Sequence, residues 1–105
     1  MEQTDSMQLV KKNNHYELIV LESAVFEDYE NILNYLMKEM SLKDIDEIDD
    51  FDTHYQLFNY NEQIIVLYYN NFLGISLNFD DKTIDSDIQL KVLSEFLEVL
   101  KKRNQ

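Results

Sequence analysis

Two histidines, His15 and His54, are the only imidazoles in the chain. Paired with each other or with a carboxylate, they could bind a metal or move a proton at neutral pH. Each stands alone near the start of an apolar run, with no second histidine at ligand spacing, which is the pattern of an ordinary edge or turn histidine. The serines are scattered and form no nucleophile elbow. Cysteine is absent, which removes disulfides, thiolate zinc sites, iron–sulfur ligation and cysteine nucleophiles. The single glycine, Gly74, cannot build a phosphate cradle, and the single arginine, Arg103, offers no bidentate phosphate clamp within the body of the chain. Paired carboxylates are unavoidable among 21 acidic residues, and a glycosidase cleft needs more than 105 residues readily provide. The reading is of a non-enzyme with no catalytic residue, no metal and no cofactor.

The carboxylates are informative through their distribution. The chain carries a formal charge of −12, with 21 acidic residues against 9 basic ones. Residues 17–62 hold 13 acids and only two bases, Lys38 and Lys43, a balance of −11. The remaining residues hold 8 acids and 7 bases, a balance of −1. The peak is Asp44, Asp46, Glu47, Asp49, Asp50 and Asp52, six carboxylates in nine residues. A calcium loop counted from Asp44 would need an oxygen ligand at its fifth position, glycine at its sixth and an acid at its twelfth, where Ile48, Asp49 and Tyr55 stand. Two readings of the run are left: a solvated acidic loop, or a docking surface for a basic partner. Ile45, Ile48 and Phe51 are interleaved at three-residue spacing, as local core or as apolar anchors in a charged rim. Crowded like charges destabilise the compact state, and solubility needs a net charge of only about 2–8 in magnitude, which favours docking. Tyr55 and Tyr60 follow directly, and tyrosine adds contact area and a hydrogen bond at low entropy cost.

The elements that would position these groups follow from periodicity. Residues 1–14 are largely polar and read as an arm, leaving 15–105 as one domain. His15–Glu22 has the length and composition of a strand. Residues 23–41 change to helical spacing through Phe26, Tyr29, Leu33, Leu36, Met37 and Met40, with Ser23 as N-cap. Residues 42–52 read as a loop. Thr53–Tyr60, Gln63–Tyr69 and Phe72–Phe79 read as strands, with turns at Asn61-Glu62 and Asn70-Asn71. A two-residue loop at Asn70-Asn71 would pair Val66 with Ile75 and Ile64 with Leu77. It would place Ile64, Val66, Tyr68, Leu73, Ile75 and Leu77 on the face that packs helices, and leave Ile65, Leu67, Tyr69, Phe72, Gly74 and Ser76 covered or in contact with a partner. Ser86 and Gln89 have capping-box spacing before a last helix whose stripe is Ile88, Val92, Leu93, Phe96, Leu97 and Leu100. The order β-α-β-β-β-α predicts an α+β two-layer sandwich, an antiparallel sheet with two helices packed on one face.

In size, in the −11 segment from Glu17 to Glu62 and in the Tyr/Asp/Glu mixture of Asp44–Tyr60, the chain resembles, at class level, the small acidic immunity proteins of bacterial polymorphic and contact-dependent toxin systems. The resemblance implies a cytoplasmic inhibitor of a cognate, basic nuclease toxin domain that occludes its active or substrate-binding site. The partner-binding residues would be Asp44, Asp46, Glu47, Asp49, Asp50, Asp52, Tyr55 and Tyr60. A phage or plasmid nucleic-acid mimic that inhibits a nuclease shares these electrostatics. An acidic dimeric secretion chaperone is a third reading. The charge argues against direct nucleic-acid or anionic-membrane binding. Met1–Ser6 lacks a basic stretch, and the longest apolar run, Ile64–Tyr69, is far short of the roughly 20 residues that span a bilayer. The expectation is a cytoplasmic monomer or weak homodimer.

Overall fold

The computed structural model describes residues 7–13, 15–50 and 52–103. Among them are β1 (Gln8–Lys12), β2 (His15–Leu21), α1 (Phe26–Glu39), β3 (Lys43–Asp50), β4 (Thr53–Tyr60), β5 (Gln63–Asn70), β6 (Gly74–Phe79) and α2 (Ser86–Arg103). The class is α+β, as read from the sequence: a six-stranded antiparallel sheet with two helices, ordered β1-β2-β6-β5-β4-β3.

Two segments expected outside the regular elements are strands, so the expected order β-α-β-β-β-α becomes β-β-α-β-β-β-β-α. Within the polar arm 1–14, Gln8–Lys12 pairs with β2, and Leu9 packs against the core. Residues 1–6 and 14 of that arm lie outside the described residues. The presumed loop 42–52 contains β3, which pairs with β4 from Lys43↔Asn59 to Asp50↔Thr53. Aspartate-rich segments have poor intrinsic strand preference, but strand preference is largely a matter of neighbours, and β4 supplies a full ladder.

The hairpin from β5 to β6 corrects the expected register. The pairs are Asn70↔Gly74, Tyr69↔Ile75, Leu67↔Leu77 and Ile65↔Phe79, so the loop is Asn71-Phe72-Leu73. The Asn70 side chain accepts from the backbone N–H of Phe72 at 2.7 Å and of Leu73 at 3.1 Å, and Gly74 closes the loop at φ +85°. Relative to the expected pairing the register moves by three residues. An odd shift exchanges the two faces of a strand. The buried set is therefore Ile65, Leu67, Tyr69, Ile75, Leu77 and Phe79, while Ile64, Val66 and Tyr68 point the other way. The two-residue turn is instead at Asn61-Glu62, where both residues have positive φ, 51° and 67°, as a type I′ hairpin requires.

One row of the sheet runs through all six strands as Leu9, Leu18, Leu77, Leu67, Gln56 and Glu47. Its inner members belong to one buried cluster with Tyr29, Ile32 and Leu36 of α1 and Val92, Leu93, Phe96 and Leu100 of α2. We call this the core face. The helix starts differ from the expected caps. At α1 the Asp28 carboxylate accepts the Val25 N–H at 3.0 Å, so Ser23 is not the cap and the helix begins at Phe26. At α2 the Asp85 carboxylate accepts the Asp87 N–H at 2.8 Å. Gln89 is fully buried and serves as a tie: its Oε1 accepts the Tyr16 N–H at 2.8 Å and its Nε2 donates to the Ile84 carbonyl at 2.7 Å. A buried amide with its donor and acceptor used costs little and fixes α2 against β2.

Candidate protein-docking surface

The acidic peak lies on β3, a free edge of the sheet. All eight residues of β3 are exposed, and five of them are carboxylates: Asp44, Asp46, Glu47, Asp49 and Asp50. Strand alternation divides them. Asp46 and Asp50 lie in the rows of Leu57 and Thr53 on the outer face, while Glu47 and Asp49 lie in the rows of Gln56 and His54 on the core face. A bulge at Ile45 puts Asp44 opposite Phe58. Asp46 is held by its own neighbours: its Oδ1 accepts the Glu47 N–H at 2.8 Å and its carbonyl accepts Gln56 Nε2 at 3.0 Å. Asp52 stands just before β4, and its carbonyl accepts the Asn71 N–H at 3.3 Å. Of the expected apolar anchors, Ile45 and Ile48 are exposed, and Phe51 lies outside the described residues.

The two histidines do not meet, since β6 and β5 separate β2 from β4. His54 Nδ1 lies 2.5 Å from Asp49 Oδ1. Its ring contacts Phe26 at 4.7 Å, Tyr29 at 5.7 Å and Tyr69 at 5.8 Å between centroids. The pair therefore pins the acidic edge to an aromatic cluster under α1. The Tyr29 hydroxyl is buried without a hydrogen-bond partner among the described residues. Burial raises its pKa, and the Glu47 and Asp49 carboxylates raise it further by disfavouring a phenolate. Among the described residues no group of three or more His, Cys, Asp or Glu side chains is arranged to hold a metal ion.

The structure separates the two expected contact tyrosines. Tyr55 lies on the outer face between Ile48 and Tyr68, its ring 5.1 Å from that of Tyr68. Tyr60 lies on the core face, donates to Glu95 Oε1 at 2.6 Å and packs edge-on against Phe96 at 5.2 Å. That hydrogen bond to a carboxylate, with burial behind it, pushes the Tyr60 hydroxyl up to about 12. Tyr60 ties β4 to α2 and is not grouped with Tyr55.

Sequence reasoning missed much of the outer face because it assigned β5 the opposite parity, while Ile75 and Leu77 of β6 face the core as expected. Two rows cross it through all six strands: Gln8, Ile19, Ser76, Tyr68, Tyr55, Ile48, and beside it Val10, Glu17, Asn78, Val66, Leu57, Asp46. Two grooves open on this face. One, of about 300 Å³, is lined by Ile19, Glu22, Tyr68, Phe72, Leu73 and Ser76 together with Lys12 and Glu17. The other, of about 270 Å³, is lined by Ile48, Tyr55, Leu57, Val66, Asn78, Asp80 and Lys82. Phe72 and Leu73 are 79% and 67% exposed at the rim of the first groove. The available signal was Gly74, the one residue suited to ending the hairpin loop at positive φ. Comparison of the chain with family models, curated proteins and solved structures finds no match. No helix among the described residues is long and apolar enough to cross a membrane.

Proposed function

We propose that this chain is a non-enzymatic protein-binding module, an immunity-type inhibitor that neutralises a basic, nuclease-type toxin in the cytoplasm by occluding its active or substrate-binding site. The observation that carries the reading is β3, an edge strand exposed along its whole length that presents five carboxylates against one lysine. Charges on an edge strand guard against edge-to-edge aggregation, but a few suffice for that. A single-sign edge of this density also steers encounter with a cationic surface and stands where nucleic-acid phosphates would otherwise lie. The reading takes the domain as a two-layer sandwich with both helices on one face. Its support is that both helices share one buried cluster with strand residues of a single parity.

The test uses the product of a toxin gene adjacent to the one encoding this chain. Co-expression protects cells from that nuclease, and the association rate falls as salt is raised. The variant Asp46→Asn/Glu47→Gln/Asp49→Asn/Asp50→Asn associates about tenfold more slowly at low salt, in line with the 10–10³-fold range of electrostatic steering. Equal binding and protection by this variant overturns the reading.

A further inference from the structure

The outer face of the sheet is apolar in the middle and acidic around it. Of its two central rows, one holds Ile19, Tyr68, Tyr55 and Ile48 with Ser76 among them, and the other holds Val66 and Leu57 between Asn78 and Asp46. Around them stand Glu22 at the first groove, where Glu17 is already paired with Lys12, Asp80 at the second, and Asp46, Asp50 and Asp52 toward β3. The Asp52 field reaches the centre: burial first, then the Tyr55 hydroxyl and the Asp52 carboxylate, raise the pKa of Tyr68. The two lysines lining the grooves are already engaged. Lys12 pairs with Glu17 at 2.6 Å, and Lys82 donates to Asn78 Oδ1 at 3.1 Å and the Phe79 carbonyl at 2.9 Å. Each groove lies at or below the lower end of the roughly 300–1,000 Å³ typical of small-molecule sites, which suits one or two anchoring side chains. A largely apolar centre with half-buried aromatic walls and a polar rim has the anatomy of a protein interface.

We infer that this outer face is the docking surface, and that it receives a cationic amphipathic segment of the partner. The inference rests on the inhibitor reading above and names the surface that reading uses. Apolar side chains of the segment seat in the two grooves, one walled by Tyr68 and the other by Tyr55, while its Lys and Arg residues meet the surrounding carboxylates. Charge complementarity selects this occupant over a second copy of the chain. A symmetric dimer through this face would set the acidic rim of one copy against that of the other, in a protein already at −12.

The probes are two 18-residue peptides of equal positive charge, one of Leu and Lys and one of Ser and Lys, titrated at 150 mM salt. The Leu/Lys peptide binds at least tenfold more tightly than the Ser/Lys peptide and shifts the amide resonances of Ile19, Tyr55, Tyr68 and Ser76. The variant Phe72→Ser/Leu73→Ser, at two exposed loop positions, weakens the Leu/Lys peptide at least tenfold while the melting temperature holds. Equal affinity for the two peptides, or shifts confined to β3, overturns the inference and leaves the acidic-edge reading standing. Absence of binding by both peptides overturns the inference too, whereas the inhibitor reading fails only in the toxin-protection assay. A dimer in sedimentation that the same variant dissociates shows a second copy on the face and also overturns it.

Discussion

Leu77 and Ser76 are neighbours in β6, and they belong to different parts of the molecule. The row through Leu77 is fully buried at its centre, where Leu18, Leu77 and Leu67 meet the helices' apolar side chains. The row through Ser76 runs between Ile19 and Tyr68 along the floor of an open groove. The same six backbones serve both rows, so the difference lies in parity alone. One face holds the fold together, and the other leaves Ile19, Tyr55, Leu57 and Tyr68 half-buried and Ile48 exposed.

Substitutions on the two faces separate their contributions. Leu77→Ala removes a fully buried side chain and lowers unfolding free energy by about 2–5 kcal/mol, whereas Ser76→Ala changes it by less than about 1 kcal/mol; chemical denaturation of the two variants measures both. Equal losses would mean that the outer face is packed in the same way as the core face. Gly74→Ala comes next. A Cβ there would lie 2.0 Å from the Leu21 carbonyl oxygen, and φ is +85°, so we expect a loss of at least about 1–3 kcal/mol, visible as a lowered melting temperature. A fully stable variant would mean that the three-residue loop does not set the register.

The smallest effect concerns the two tyrosines of β4. Tyr60→Phe removes the hydrogen bond to Glu95 and costs about 1–2 kcal/mol, while Tyr55→Phe on the outer face stays within about 0.5 kcal/mol. The Tyr60 hydroxyl rises from its ordinary 10.0 to about 12, so the folded state favours the protonated phenol. That contribution is complete below pH 10 and is lost as pH rises toward 12. Tyr29 and Tyr68 are raised in the same direction. Wild-type protein therefore loses stability across this alkaline window, and Tyr60→Phe loses less of it. Melting temperatures from pH 9 to pH 12 check the difference; parallel curves would assign the alkaline loss elsewhere.

The legible parts of the sequence were those with strong local pattern. Thr53–Tyr60 is a strand with the expected ends, and the Val92, Leu93, Phe96 and Leu100 stripe of α2 is buried as its spacing requires. The type I′ turn falls on Asn61-Glu62, where a turn was expected. β3 was illegible because nothing in Lys43–Asp50 marks a buried face; its strand state comes from pairing with β4. β1 was illegible for the same reason, since its ladder depends on β2. The acidic surface was found by position, and its division between two faces was not. Tyr60 looked like Tyr55 in sequence, and only the position of Glu95, 35 residues away, makes it an internal tie.

By itself the sequence determined the α+β class, the two amphipathic helices and the concentration of −11 of the charge in residues 17–62. Composition and periodicity are local properties, and no folding event alters them. The tertiary structure alone decided which way β5 faces, that the acids form an edge strand, and that a groove lined by Ile48, Tyr55, Leu57 and Val66 opens beside them. Apolar side chains fill Ile64–Tyr69 so continuously that either parity of β5 could have been buried. The loop ending at Gly74 and the packing of Ile65, Leu67, Ile75 and Leu77 with the helices select one.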